Sequence, residues 1–528
     1  MNATTPSSLA LRQRGEGRGE GPNEAPRPAL TLILTLALST LLTACGGQGT
    51  LFNTPLKPLP ILSTSSALVH VVPQTNRAIL LRPGTKTPTS LPLSTGARLA
   101  KRVPHADAVV VFTGTPRSPT LDVLDLTTNE VQTLTLPGYF DAVTFSPDGR
   151  FGVLTYDATS TTAALVARNL NEVALLHTGT RTLTRLQLDT ESLAPRGVLY
   201  GPTEANRQLV AVTLERGVAL FDALHPDVAP RRITIRPPGS SSETSVIEAL
   251  FSVDAKWLFL RASALDDVIA IELGAEVGTP VSASLNFVSG GRGLTDLEAA
   301  PVGFPDAVLA VYATSRELWL LDARGIQDNA RKLVSPEAIT AVARLGGTKV
   351  LAWDPRGSKG VVAWDLADGR SGSSVLDGAT GTPTLVPAMG KALFFHASTT
   401  SGGPSLSTVT VTDETNRLRL RLQGIQLSRA VQTSTLDEAG LRLFFSVTGS
   451  SAVVALDLAT LQLAEMPLDV ATTALHHLAD GDFLAATNAA TEGTGDVTVW
   501  PAGEVDRSQA QRFTDYLFTD DLTRAEAP

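Results

Sequence analysis

Cysteine is nearly absent: Cys45 is the only one in 528 residues. One cysteine excludes an intramolecular disulfide framework and any zinc site built on thiolates. Lysine is scarce too, with 8 against 35 arginines, and acidic residues outnumber basic ones 52 to 43. A net charge of −9 argues against a generic electrostatic nucleic-acid binder, which would show a basic patch. No nucleic-acid partner is therefore expected. The patterns G-x-S-x-G, H-E-x-x-H and the P-loop are missing, so a nucleophile elbow, a zincin and a phosphate-cradling loop have no support. Beyond residue 44 no apolar run approaches the ~20 residues of a membrane-spanning helix. No convincing helix of ten residues is legible there either.

What is there begins at the N-terminus. Residues 1–28 are polar, with Arg12, Arg14, Arg18 and Arg27, and an apolar run follows from Ala29 to Leu42. That run has the length of a signal-peptide core. It ends in Leu42-Thr43-Ala44-Cys45, followed by Gly46 and Gly47. Small residues before the cysteine fit a protease groove, and two glycines keep the thiol exposed. The segment resembles the lipobox of bacterial lipoproteins, although its polar n-region is longer than usual. The resemblance implies cleavage before Cys45 and diacylglycerol on its thiol, so that Cys45 anchors the chain in a membrane. Two or three acyl chains, at ~0.8 kcal/mol per buried CH₂, anchor stably. Gly46 stands where an inner-membrane retention aspartate is often found. The resemblance therefore favours the outer membrane or cell surface over the inner membrane. An ordinary secretory signal cut after Ala44 is the alternative.

The expected organisation is a signal peptide over 1–44, a Gly- and Pro-rich tether over 45–65, a repeat domain over 66–516 and a tail over 517–528. In the repeat domain an apolar run ends in an acidic or polar residue and a turn. The clearest copies end at Asp125, Asp222, Glu272, Asp322, Asp365 and Asp457, and weaker ones place Arg82, Asn169, Asp413 and Pro501 at that point. Spacings of 43 to 53 residues separate the ten positions. A β run precedes each, such as Ala108–Phe112 or Leu443–Val447, with a third ahead and a fourth behind. Four short strands per ~45 residues predict β-propeller blades.

The turn Phe145-Ser-Pro-Asp-Gly-Arg150 sharpens this. Proline presets φ, and glycine accepts the left-handed conformation that closes the turn. It resembles the S-P-D-G turn of TolB-like, WD40-like and YVTN-type bacterial propellers, with Phe251–Lys256 and Leu436–Gly440 as decayed copies. The expected fold is all-β: a single large β-propeller of about eight to ten four-stranded blades, or, as the alternative, two smaller rings. The count suggests that a closing blade mixes the chain ends, Phe513–Phe518 pairing near the N-terminal strands.

Few residues suggest chemistry. His476 and His477 would face opposite sides of a strand, which disfavours one metal taking both. Arg417, Arg419 and Arg421 would share a strand face, reading as a charged outermost strand or an anion-binding ladder. The repeated aspartates read as turn caps and the five tryptophans as core. Loops between second and third strands, at 113–120, 157–162, 354–360, 397–407 and 488–496, would line one rim and suit binding. No catalytic residue, metal ligand or cofactor is indicated. The function this implies is a lipid-anchored envelope protein whose propeller is a non-catalytic scaffold for a protein or glycan partner. The alternative is a propeller enzyme of lactonase or quinoprotein type.

Overall fold

A computed structural model describes residues 59–513, apart from 157–168, 192, 275–283, 357, 379–380, 397–405, 438, 440, 469–470, 490–494 and 504–506. The signal segment, Cys45, most of the tether and the tail lie outside the described residues.

The chain forms ten four-stranded antiparallel sheets, each a meander of consecutive strands. Together they make a single ten-bladed β-propeller. The blades, numbered 1 to 10, span 62–92, 99–135, 142–187, 195–233, 246–288, 294–334, 341–375, 384–425, 431–467 and 474–513. Among the described residues the only helical turns are three of three residues each. No helix there is long and apolar enough to cross a membrane.

The sequence explains the position of each strand in its blade. Second and third strands are continuous apolar runs, as in Leu209–Leu214 and Val218–Asp222, and both are almost entirely buried. A strand covered on both faces needs such a run. Fourth strands, such as Glu130–Thr135 and Leu463–Pro467, are polar and exposed on the outside. First strands of neighbouring blades lie side by side around the centre. Hydrophobic clusters fill the space between blades, one at each of the ten junctions.

The cluster joining blade 10 to blade 1 closes the ring: Leu68 and Leu81 pack with Leu478, Ala485, Val497, Val499 and Phe513. Closure does not mix the chain ends in one sheet, contrary to the expectation from the blade count. Gln511–Phe513 pairs with the third strand of its own blade, and blade 1 is complete from Leu62 onwards. Its first strand, Leu62–Ser63, falls within the stretch read as tether. Residues 514–518 lie outside the described residues.

Third strands end where the repeat places its markers: Asp125, Asp222, Glu272, Asp322, Asp365, Asp413, Asp457 and Pro501. In blade 3 the strand ends at His177, not near Asn169. The amide of Thr180 donates to His177 Nδ1 at 3.2 Å, so an imidazole caps the turn that carboxylates cap elsewhere. Asp125 accepts from the amides of Thr127 and Thr128, Asp322 from that of Arg324, and Asp457 from those of Ala459 and Thr460. The Thr127 hydroxyl, with the Thr128 and Thr127 amides, holds the Asp125 carboxyl below the usual range, and the Thr460 amide and hydroxyl do the same for Asp457; at Asp322 burial pushes upward, but the Arg324 and Asn329 side chains and the Arg324 amide outweigh it.

Candidate functional site at the mouth of the channel

The S-P-D-G turn is structural. Ser146 Oγ donates to Asp148 at 2.6 Å, the Arg150 amide donates to the same carboxylate at 3.1 Å, and Gly149 sits at φ 71°. In blade 5 Ser252 and Asp254 repeat the bond at 2.7 Å, with Ala255 at φ 53° in the glycine position. The arginine trio is largely engaged as well. Arg417 and Arg419 both reach Glu414, at 2.7 and 3.4 Å, and Arg419 and Arg421 stand exposed on the outermost strand of blade 8. Four of the five tryptophans are buried. Residues 113–120 are not a loop: the ladder continues to the Thr115–Ser118 pair. Of the other four expected rim loops, 157–162 and most of 397–407 and 488–496 lie outside the described residues.

His476 and His477 lie on the first strand of blade 10, on opposite faces. His477 pairs with Asp482 at 2.9 Å. Asp437, His477 and Asp482 are, among the described residues, the one trio placed closely enough to share a metal. The Arg442 guanidinium, however, donates to both carboxylates, at 2.6 Å to Asp437 and 2.8 Å to Asp482. That cation fills the electrostatic role a metal would have.

The concentration of charge that the sequence does not reveal lies on the channel side of blades 5 to 7. Glu248 comes from the first strand of blade 5, Asp296 and Glu298 from that of blade 6, and Arg344 from that of blade 7. Arg261, on the second strand of blade 5, donates through Nε to Glu248 at 2.8 Å. Arg344 Nε stands 3.1 Å from Glu298. The Val342 amide donates to Asp296 at 2.8 Å, tying blade 7 to blade 6. Burial pushes the Asp296 carboxyl up to about 7, with the charge and hydrogen bond of Glu248 adding to it against the Val342 amide. Burial also raises Glu298, opposed by Arg344.

Two cavities flank this cluster and share Glu298 and Arg344. One, of about 430 Å³, lies against Tyr200, Pro202, Glu248 and Phe251; the other, of about 550 Å³, against Pro301, Val302, Leu385 and Pro387. Both fall in the range of ligand-binding clefts. Val302 is 83% exposed at the edge of the second. No linear spacing announces this site, because its charges come from four strands of three blades. The one local signal is the run Leu294-Thr-Asp-Leu-Glu-Ala299, which carries two acids on a strand that lines the ring.

No family model matches this chain, and no curated protein does. Among solved structures it is similar to virginiamycin B lyase from Staphylococcus aureus, at 14% identity over 52% of this chain and 83% of that one, with a TM-score of 0.32. It is also similar to apo AztD from Citrobacter koseri, at 10% identity over 62% and 87%, TM-score 0.35. The WD40 domain of SCAP from fission yeast shares 11% identity over 74% and 92%, TM-score 0.39. Likenesses this distant carry nothing about what this chain binds, since one fold hosts many activities. The propeller assignment rests on the ring's own sheets.

Proposed function

We propose that this chain is a membrane-anchored envelope protein, acylated at Cys45, whose propeller docks a partner at the channel mouth. The observation that carries the docking site is the pair of adjoining cavities that share the Glu298–Arg344 ion pair. Charges of both signs beside an exposed Val302, with Pro301 and Pro387, suit a polypeptide segment. Tyr200 and Phe251, the aromatic residues of these walls, are buried, so no ring lies open for sugar stacking. A protein partner is therefore preferred to a glycan. The lipobox carries the anchor, and the tether would hold the ring clear of the lipid surface.

The test is made in intact cells, with a photocrosslinking residue in place of Val302. Adducts should form there, should fall several-fold when Arg344→Glu is added, and should be absent with the same probe at the exposed Leu463 on the outer strand of blade 9. Equal yields at both positions overturn the docking site. In the same cells Cys45→Ser should abolish labelling by palmitate and move the protein out of the detergent phase. A wild-type protein that is already water-soluble, with a free thiol, overturns the anchor.

A further inference from the structure

Nine of the ten junctions between blades are crossed by the chain as it passes from one blade to the next. The junction between blades 10 and 1 is not, because each sheet is built wholly from consecutive strands. It also has the smallest apolar cluster, with seven buried residues against eight to fourteen at the others among the described residues. Polar bonds across it among the described residues include one from the Asp480 amide to the Ser65 carbonyl at 2.9 Å and one from the Gln511 side chain to the Thr85 carbonyl.

Two histidines occupy this junction. In Leu68–Val72 the residues on the Leu68 face look towards blade 10, and His70 is among them. In Ala474–Leu478 those on the Leu478 face look towards blade 1, and His476 is among them. His70 is only 2% exposed. Neither of its ring nitrogens, nor Nε2 of His476, has a hydrogen-bond partner among the described groups. Apolar and neutral residues surround the pair. On blade 1 they are Ile61, Leu68, Ile79 and Leu81; on blade 10, Leu478, Ala485, Val497 and Phe513. The charged groups on these faces are Arg77, which donates to Ser90 at 2.8 Å, and Asp480 in the turn after Leu478. Among the described residues no acidic side chain is hydrogen-bonded to His70 or to Nε2 of His476 to accept a proton's charge.

We infer that the His70–His476 pair makes ring closure sensitive to acid: the junction holds with both imidazoles neutral and opens when they take up protons. Burial, reinforced by His476, keeps the His70 imidazole down to about 3, and burial keeps His476 down to about 4. The sign follows. An exposed imidazole takes up a proton near pH 6.5, and a buried unpartnered one resists. The stability of the closed junction is therefore complete above about pH 6.5 and falls as pH drops towards the folded values. Below about pH 6 the ratio of closed to open falls by about tenfold per pH unit for each histidine, or ~100-fold for the pair. Opening separates the two blades where no chain segment holds them together.

The test uses the full chain and amide hydrogen exchange, normalised for intrinsic rates, at pH 7.5, 6.0 and 5.0. Residues 68–81 and 474–501 should lose protection selectively on acidification, while 209–222 in blade 4 keep theirs. His70→Leu with His476→Leu should remove the selective loss. Each single variant should remove about half, and serves if the double variant does not fold. Equal protection of the two regions at every pH, or the same selective loss in the histidine variants, overturns the inference.

Discussion

At the scale of single residues the ring depends on positions where backbone meets backbone. A β-carbon on Gly149 would stand 2.0 Å from the carbonyl oxygen of Pro104 in the preceding blade, and φ there is 71°. Gly239 has a similar φ of 77° but faces open space. The two separate a conformational cost from a steric one. Gly239→Ala should lower stability by about 1 kcal/mol, the cost of a side chain in the left-handed region. Gly149→Ala should lose about 2–4 kcal/mol, because the neighbouring turn must move as well. Urea denaturation of the two variants measures the difference, and equal losses would show that the approach of blade 2 to this turn imposes no constraint. The S-P-D-G motif was legible because its chemistry is local. That glycine's second role, making room for Pro104, depends on a residue 45 positions earlier in the preceding blade, and was not.

At the scale of strands, legibility followed how local each cause is. Buried second and third strands announced themselves as apolar runs, and capped turns as aspartates. Blade 3 shows the limit: His177 caps its turn through Nδ1, so a pattern built on acids passed over it to Asn169. First strands were the hardest to read, since each is half-covered and mixes polar with apolar residues. There most of the channel cluster lies hidden: Glu248, Asp296, Glu298 and Arg344 stand on first strands, and Arg261 joins them from the second strand of blade 5. Its titration has the opposite sign to that of the histidines. Asp296 is raised to about 7 from the ordinary 3.8, so its contribution to stability is full below about pH 4 and is lost as pH rises through about 7. Asp296→Asn, which cannot ionise, should gain stability relative to the wild type as pH rises from 4 to 7.5. Paired denaturation curves across that range check it. A difference that stays constant with pH would mean that Asp296 is an ordinary solvated carboxylate.

At the scale of the whole molecule, ten similar blades and no shared closing strand leave one junction that the chain does not cross, the one that holds the histidine pair. Each blade contacts chiefly its two neighbours, as in other repeat architectures. The order of blades around the ring should therefore matter more than the place of the ends. Ile61, Leu68 and Phe513 pack in one cluster, so the described ends of the ring lie on the same junction. A Gly/Ser linker of about ten residues could join 513 to 59. New ends can then be opened at Gly239, in the exposed stretch between blades 4 and 5. This permuted chain should fold with the same β-rich circular dichroism spectrum. It should also carry a chain connection across the His70–His476 junction. The acid-induced loss of protection in 68–81 and 474–501 should shrink, since protonated histidines would then act against a tethered pair of blades. The 4–5 junction, now untethered, should stay closed at pH 5.0, because none of the strands of blades 4 and 5 carries a histidine. If the permuted chain instead opens between blades 4 and 5 on acidification, the position of the chain ends rather than the histidine pair decides where the ring gives way.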